Sequence, residues 1–244
     1  PKKNQQDLHL PGGKLGIKIK LADHFDLKGN VGRSYRVPSF AELFGDRGLF
    51  IGNPNLRPES GINFDAGTIF HTESLQMELT YYQNELDDLI QLLQTSQYTI
   101  QAENLGKARI QGIEVATQWR PTKPLSLALN YTYQKARDQS GLPATDGLLL
   151  PGRPVHELDA KVNYRYQALR FFTDINFIDS NFLDTQNIRA VNHRTFWNVG
   201  SQVSFFKYFA ASFEVKNILD DQTVDIVGFP LPGRGYFGKL EMRN

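Results

Sequence analysis

Leu125-Ser126-Leu127-Ala128-Leu129-Asn130-Tyr131-Thr132-Tyr133-Gln134 decides the fold of this chain. Successive side chains of an extended strand point to opposite faces. This segment therefore has one face of leucine and tyrosine and one face of small or polar residues. The same two-residue beat sets Leu75, Met77, Leu79 and Tyr81 against Gln76, Glu78 and Thr80. It also sets Leu158, Ala160, Val162, Tyr164 and Tyr166 against Glu157, Asp159, Lys161, Asn163 and Arg165. A soluble sandwich would turn its apolar faces inward. Here the polar faces carry large charged residues strand after strand and the apolar faces are rich in aromatics, the pattern of a membrane barrel with its apolar side toward lipid.

Composition is compatible with that reading. The chain has 244 residues, a formal net charge of +1, 12% aromatic residues and no cysteine. A near-neutral charge gives no electrostatic case for nucleic acid. Mean hydropathy is −0.41, and no run of about 18 apolar residues would form a membrane helix. The absence of cysteine leaves neither a disulfide framework nor a thiolate metal site. With Pro1 first and no signal peptide, the expectation is a mature fragment.

Eleven strands are predicted near 15–22, 27–35, 62–72, 75–85, 108–120, 125–135, 157–166, 169–178, 195–205, 209–217 and 235–243. Tight junctions at 23–26, 73–74, 121–124, 167–168 and 207 alternate with long ones at 36–61, 86–107, 136–156, 179–194 and 218–234. Short turns on one side and long loops on the other are the outer-membrane pattern, with the long loops outside the cell. Gly112 breaks the beat between Ile110 and Ile113 and predicts a bulge. Phe172 and Phe196 fall on luminal faces, where a plug or loop would have to cover them. An odd strand count leaves two open edges, which lipid does not tolerate. The expected fold is therefore all-β, an antiparallel transmembrane β-barrel of which these strands are half.

After Tyr35 the sequence resembles a known family. The residues are Tyr35-Arg36-Val37-Pro38-Ser39-Phe40-Ala41-Glu42-Leu43-Phe44, followed by Gly52-Asn53-Pro54-Asn55-Leu56-Arg57-Pro58-Glu59. Asn104-Leu105-Gly106-Lys107-Ala108 with Gly112-Ile113-Glu114 continues the match, as do Leu150-Pro151-Gly152-Arg153-Pro154 with His156, Val215-Lys216-Asn217-Ile218-Leu219-Asp220 and Pro232-Gly233-Arg234. In order and spacing the set resembles the C-terminal half of the barrel of TonB-dependent outer-membrane receptors, over nearly the whole chain. The resemblance implies a 22-stranded barrel closed by an N-terminal plug, which takes up ferric siderophores, haem, cobalamin or sugars with energy from TonB. It implies as partners outer-membrane lipid, the plug and remaining strands, TonB and a small-molecule ligand, at the Gram-negative outer membrane. Residues 1–244 would all be barrel, with plug and TonB-contacting segment outside them. Asn244 stands where the family usually ends in an aromatic residue.

The loop motif also has its own physical reading. Pro38 cannot extend a ladder. Ser39 with Glu42 three residues on is a capping box, predicting a short helix over 40–44 that stops at Gly45. Gly52-Asn53-Pro54-Asn55 is turn chemistry. Tyr35, Arg36, Pro38, Glu42, Asn53, Pro54, Pro58 and Glu59 are thus expected to pin a long loop to the rim. Arg47, Phe50, Arg57 and Arg153 are the candidate ligand contacts in the loops. Haem receptors of the family place a histidine inside the loop motif, and none lies between Ser39 and Gly52. Asp87-Asp88 and Asp220-Asp221 are candidate calcium ligands, against the plainer reading as solvated loop charge. Luminal Lys18, Lys20, Lys28, Arg165 and Arg170 face Glu78, Glu157, Asp159, Asp174 and Glu214, a mixed set suited to anchoring a plug. Tyr35, Tyr81, Tyr82, Trp119, Tyr131, Tyr133, Tyr166 and Trp197 are expected in the interfacial belts.

No nucleophile with a base in recognisable spacing suggests an enzyme, and no cofactor or metal is expected. The function inferred from the resemblance is TonB-energised uptake of a ferric siderophore. The rivals are a passive porin-like channel, a barrel enzyme and a soluble sandwich.

Overall fold

A computed structural model of the chain describes residues 9–46, 48–96, 98–206, 208–226 and 229–242, with backbone alone for 224–226, 229 and 230. Its main body is one antiparallel sheet of eleven strands: β1 (Gly13–Ala22), β2 (Phe25–Arg36), β3 (Glu59–His71), β4 (Leu75–Asp87), β5 (Lys107–Thr122), β6 (Leu125–Asp138), β7 (His156–Tyr166), β8 (Leu169–Asp179), β9 (Arg194–Phe205), β10 (Phe209–Lys216) and β11 (Gly235–Met242). Each strand bonds only to its sequence neighbours, so the order runs from β1 to β11 without a crossover. β1 and β11 are the edges, and the barrel is not closed by these strands. Most strands outrun their predicted limits by one to three residues; β5 is the longest at 16.

Register fixes the faces. Leu158 lies beside Tyr131 and Phe177, Leu79 beside Val115, and Ile17 beside Gly29. The apolar sets thus share one side of the sheet. That side stays open: Leu15, Ile17, Leu21, Phe171, Phe213 and Leu240 are all exposed. So large a continuous apolar surface is untenable in water and is what lipid requires. The opposite face is polar and cross-linked. Lys28 pairs with Glu78, and Lys18 Nζ lies 2.9 Å from Asp26 Oδ2. Asn176 donates to Asp159 at 3.1 Å and Asn198 to Asp174 at 2.8 Å.

Three expectations are corrected by the register. Gly112 is not a bulge, because the ladders run in regular register through its pairings with Tyr82 and Gln134; the irregularity of the β5–β6 ladder lies between Trp119 and Thr122. It is a luminal position where a Cβ would come within 2.4 Å of the Tyr133 carbonyl oxygen and 2.8 Å of the Tyr82 hydroxyl. Tyr82 is therefore luminal rather than part of an interfacial belt, and its hydroxyl donates to Gln134. Phe172 is sheltered without a plug. It lies over Gly200, whose missing Cβ would sit 2.2 Å from its ring, and the Arg170 guanidinium stacks 5.5 Å from its centroid. Arg194 covers Phe196 likewise at 5.3 Å. The remaining belt candidates, Tyr35, Tyr81, Trp119, Tyr131, Tyr133, Tyr166 and Trp197, share the outward parity of their strands.

Candidate functional site

The long connections gather at one end of the wall and form an ordered layer. Its first part grows from the foot of β2. Ser39 caps a five-residue helix, α1 (Phe40–Phe44): its hydroxyl accepts from the Glu42 backbone, while the Glu42 carboxylate accepts from the Ser39 NH at 2.7 Å. Gly45 follows as C-cap, as predicted. The Glu42 carboxylate also receives the Arg36 guanidinium at 3.0 Å. Burial of Glu42 opposes ionisation, but the Ser39 NH and Arg36 outweigh it and hold the acid below its usual range.

Arg36 has a second partner that ties the loop to the wall. Its Nε and Nη2 donate to Glu59 at 2.9 and 2.8 Å, a planar two-point contact from β2 to β3. Glu59 Oε1 further accepts the Ile90 backbone NH at 2.6 Å, reaching into the second long connection. There Ile90–Gln94 and Ile100–Asn104 form a hairpin, and Phe50–Ile51 joins it in parallel, giving a three-stranded sheet built from two different loops. Leu56, Ile90 and Ala102 bury its underside with Leu43 and Phe50 against them. Asn53 closes the seam, donating to the Ala102 carbonyl at 3.0 Å and to Glu103 at 3.1 Å. Asn104 reciprocates from the other side, accepting the Arg57 NH and donating to the carbonyls of Arg57 and Asp88.

The candidate ligand contacts occupy different settings. Phe50 is half-buried in this apolar cluster, and the Arg57 guanidinium pairs with Asp88. Arg153 is exposed and borders the lumen. Arg47 lies outside the described residues. Of the motif residues, Pro38 is buried, Pro54 sits in the turn after Asn53, Pro58 is half-buried before β3, and Tyr35 faces outward under the Arg33 guanidinium at 5.3 Å.

A second hub, whose residues the sequence offers only as part of a motif and as calcium candidates, lies where β10 ends. Asn217 is 1% exposed and has a positive φ of 51°. Its amide donates to the carbonyls of Asp221 and Pro232, and its Oδ1 accepts the Asp221 NH. Asp221 in turn accepts the Thr195 NH at 2.8 Å and both donors of Thr223. Desolvation works against its charge, yet the Thr223 and Thr195 bonds keep its carboxyl below the usual value. Asp220 accepts the Arg234 NH at 2.7 Å. The paired acids proposed for calcium thus spend Asp88, Asp220 and Asp221 on loop anchoring.

Beneath the loop layer the luminal face encloses a concavity of about 730 Å³, bordered by Lys28, Asn30, Asp65, Thr80, Tyr82, Glu114, Gln134 and Arg153. One Asp65 oxygen accepts from Asn30 at 3.1 Å. The other is buried without a partner among the described residues. A buried carboxylate oxygen left this way is costly unless another surface supplies a donor.

The family profile described as "TonB dependent receptor-like, beta-barrel" matches residues 6–218. Among solved structures, the copper transporter OprC is similar with a TM-score of 0.74 at 19% identity, over 96% of this chain and 39% of that one. A ferric enterobactin receptor variant, PfeA from Pseudomonas aeruginosa, gives 0.71 at 18%, over 95% of this chain and 40% of that one. The ferric yersiniabactin uptake receptor FyuA from Yersinia pestis gives 0.69 at 19%, over 93% of this chain and 35% of that one. The chain spans roughly two fifths or less of the length of these structures. At such identities the likeness carries the fold alone, while the profile covers most of the sequence. The chain belongs to the TonB-dependent receptor-like β-barrel family.

Proposed function

We propose that this chain forms the C-terminal half of the wall of a TonB-dependent receptor in the outer membrane of a Gram-negative cell. Residues 1–244 supply barrel and extracellular loops; a plug and the remaining strands complete the lumen. The observation that carries the reading is the pairing of a family match over residues 6–218 with a luminal face that stays polar and partly unpartnered, notably at Asp65. A plug would bring donors and acceptors to such a face, whereas an empty porin would leave that face to water alone. The long loops capture a scarce ligand, and a ferric siderophore is the first choice because two of the similar structures bear ferric-siderophore receptor names. Arg153, exposed at the rim of the concavity, is the first candidate for ligand contact; Phe50 and Arg57 act mainly in holding the loop sheet.

The test is uptake of radiolabelled ferric siderophores by cells carrying or lacking the full-length gene, with and without a functional TonB. Uptake lost in both deletions supports the reading. Cupric ion, cobalamin, haem and sugars form the comparison panel, given the likeness to OprC. Steady open conductance in a planar bilayer, with uptake independent of TonB, would favour the porin instead.

A further inference from the structure

The outward face of the wall changes character abruptly at the loop end of β5 and β6. Across the membrane band these strands present Ile113, Val115, Thr117 and Trp119 beside Leu127, Leu129, Tyr131 and Tyr133. Just beyond, the same face carries Lys107 and Arg109 on β5 and Lys135 and Arg137 on β6. Register sets Arg109 beside Arg137 and Gln111 beside Lys135, so four cations stand in two adjacent columns. The neighbouring β4 contributes Glu85, which accepts from Arg109 Nε, and Asp87, the register partner of Lys107. The Arg137 guanidinium is tied to the Gly147 carbonyl. Lys135 lies 5.8 Å from the centroid of the Tyr133 ring. On the far side β7 offers His156, whose Nδ1 is 2.9 Å from the Tyr131 hydroxyl.

Height decides what this patch meets. Lys135 and Arg137 follow Tyr133 by two and four residues, roughly 7 and 13 Å along the strand. A strand tilt of about 45° turns those into roughly 5 and 9 Å above the aromatic level. That is the layer of lipid headgroups, directly over an apolar band on which acyl chains lie. A soluble partner would have to enter the lipid to reach it. The excess of four cations over two carboxylates selects an anionic headgroup, and guanidinium and ammonium groups are matched to phosphate.

We propose that Lys107, Arg109, Lys135 and Arg137 bind the phosphates of a glycolipid of the outer leaflet, holding an anionic lipid against β5 and β6. The proposal rests on the orientation above, with the long connections outside the cell.

The experiment uses the full-length protein in detergent, titrated with lipid A, dephosphorylated lipid A and phosphatidylglycerol. Lipid A should bind best. The double variant Lys107→Gln and Lys135→Gln, which leaves the Arg109 and Arg137 contacts in place, should weaken it on the order of tenfold. The variant Lys107→Arg and Lys135→Arg should keep it. Heat-modifiable migration on gels verifies that each variant is folded. Equal binding by the folded glutamine variant, by dephosphorylated lipid A, or by phosphatidylglycerol overturns the proposal. Orientation is read separately by labelling a Ser96→Cys variant on intact cells with a membrane-impermeant maleimide. A labelled cysteine together with unchanged lipid binding by the glutamine variant defeats the lipid site alone, and an unlabelled one defeats the orientation and the lipid site with it.

Discussion

The wall and the loop layer of this molecule are held together by opposite means. In the wall each strand repeats the same arrangement: ladder bonds to both neighbours, apolar side chains outward and cross-strand polar pairs inward. The load is spread over many equivalent contacts. In the loop layer a few residues each hold several segments. Glu59 binds Arg36 and the Ile90 NH, and Asn217 binds Asp221 and Pro232 through its side-chain amide and Asn198 through its backbone NH. Regular structure tolerates single losses; a layer hung on hubs does not.

Breaking the Glu59 hub should have the largest effect. Glu59→Ala takes the two-point acceptor from Arg36, which keeps Glu42, and leaves the buried Ile90 NH unpaired, a loss of about 2–4 kcal/mol of local stability. Limited proteolysis should then cut residues 37–58 and 88–106 rapidly while the wall stays resistant. Equal resistance of loops and wall would mean that the hub is redundant. In the wall, Leu129→Arg at mid-strand should cost about 2–4 kcal/mol in urea unfolding from lipid vesicles. The luminal neighbour Ser126→Lys should be nearly neutral in the same assay, and a similar cost for both would overturn the assignment of faces. Gly200→Ala pushes the Phe172 ring from its seat and should cost about 1–3 kcal/mol. The smallest mutational effect is expected at the helix cap, where Ser39→Ala removes about 1 kcal/mol of local stability, read as faster amide exchange at Glu42.

Acid should also separate the two regions. Glu42 and Asp221 have folded pKa values below their ordinary 4.5 and 3.8. The unfolded loops therefore bind more protons in acid. The stabilisation from these two acids is complete above the ordinary values and is lost as pH falls through the folded ones. Loop protease resistance should decline below about pH 4, ahead of any loss of the wall's heat-modifiable state. Simultaneous loss would argue that loops and wall unfold as one unit.

That same contrast explains what could be read from the sequence. The eleven strands and the alternation of turns and loops were legible because a period of two is a local signal repeated many times. The capping box of Ser39 and Glu42 was legible for the same reason. The loop sheet was not, since Phe50 and Ile51 pair with Ile100 and Gln101 across half a hundred residues and neither strand has a strong alternating pattern of its own. Tyr82 was misplaced because an aromatic near a strand end reads equally as belt or as luminal filler. Its register beside Gly112 decides the matter. Asn217 gave no signal beyond its motif, because two of its partners, Asn198 and Pro232, lie 19 and 15 residues away and no local pattern brings them together.

The unbroken neighbour-to-neighbour order of the sheet has a kinetic consequence. Every strand of the large sheet pairs with the one made just before or just after it, so each new hairpin closes no more than the connection between consecutive strands. Loop-closure entropy is then small at each step, and folding can advance as a zipper from hairpin to hairpin. In the complete barrel proposed above, the slow event is left to the outer edge of β11, whose partner is the first strand of the barrel and not a sequence neighbour.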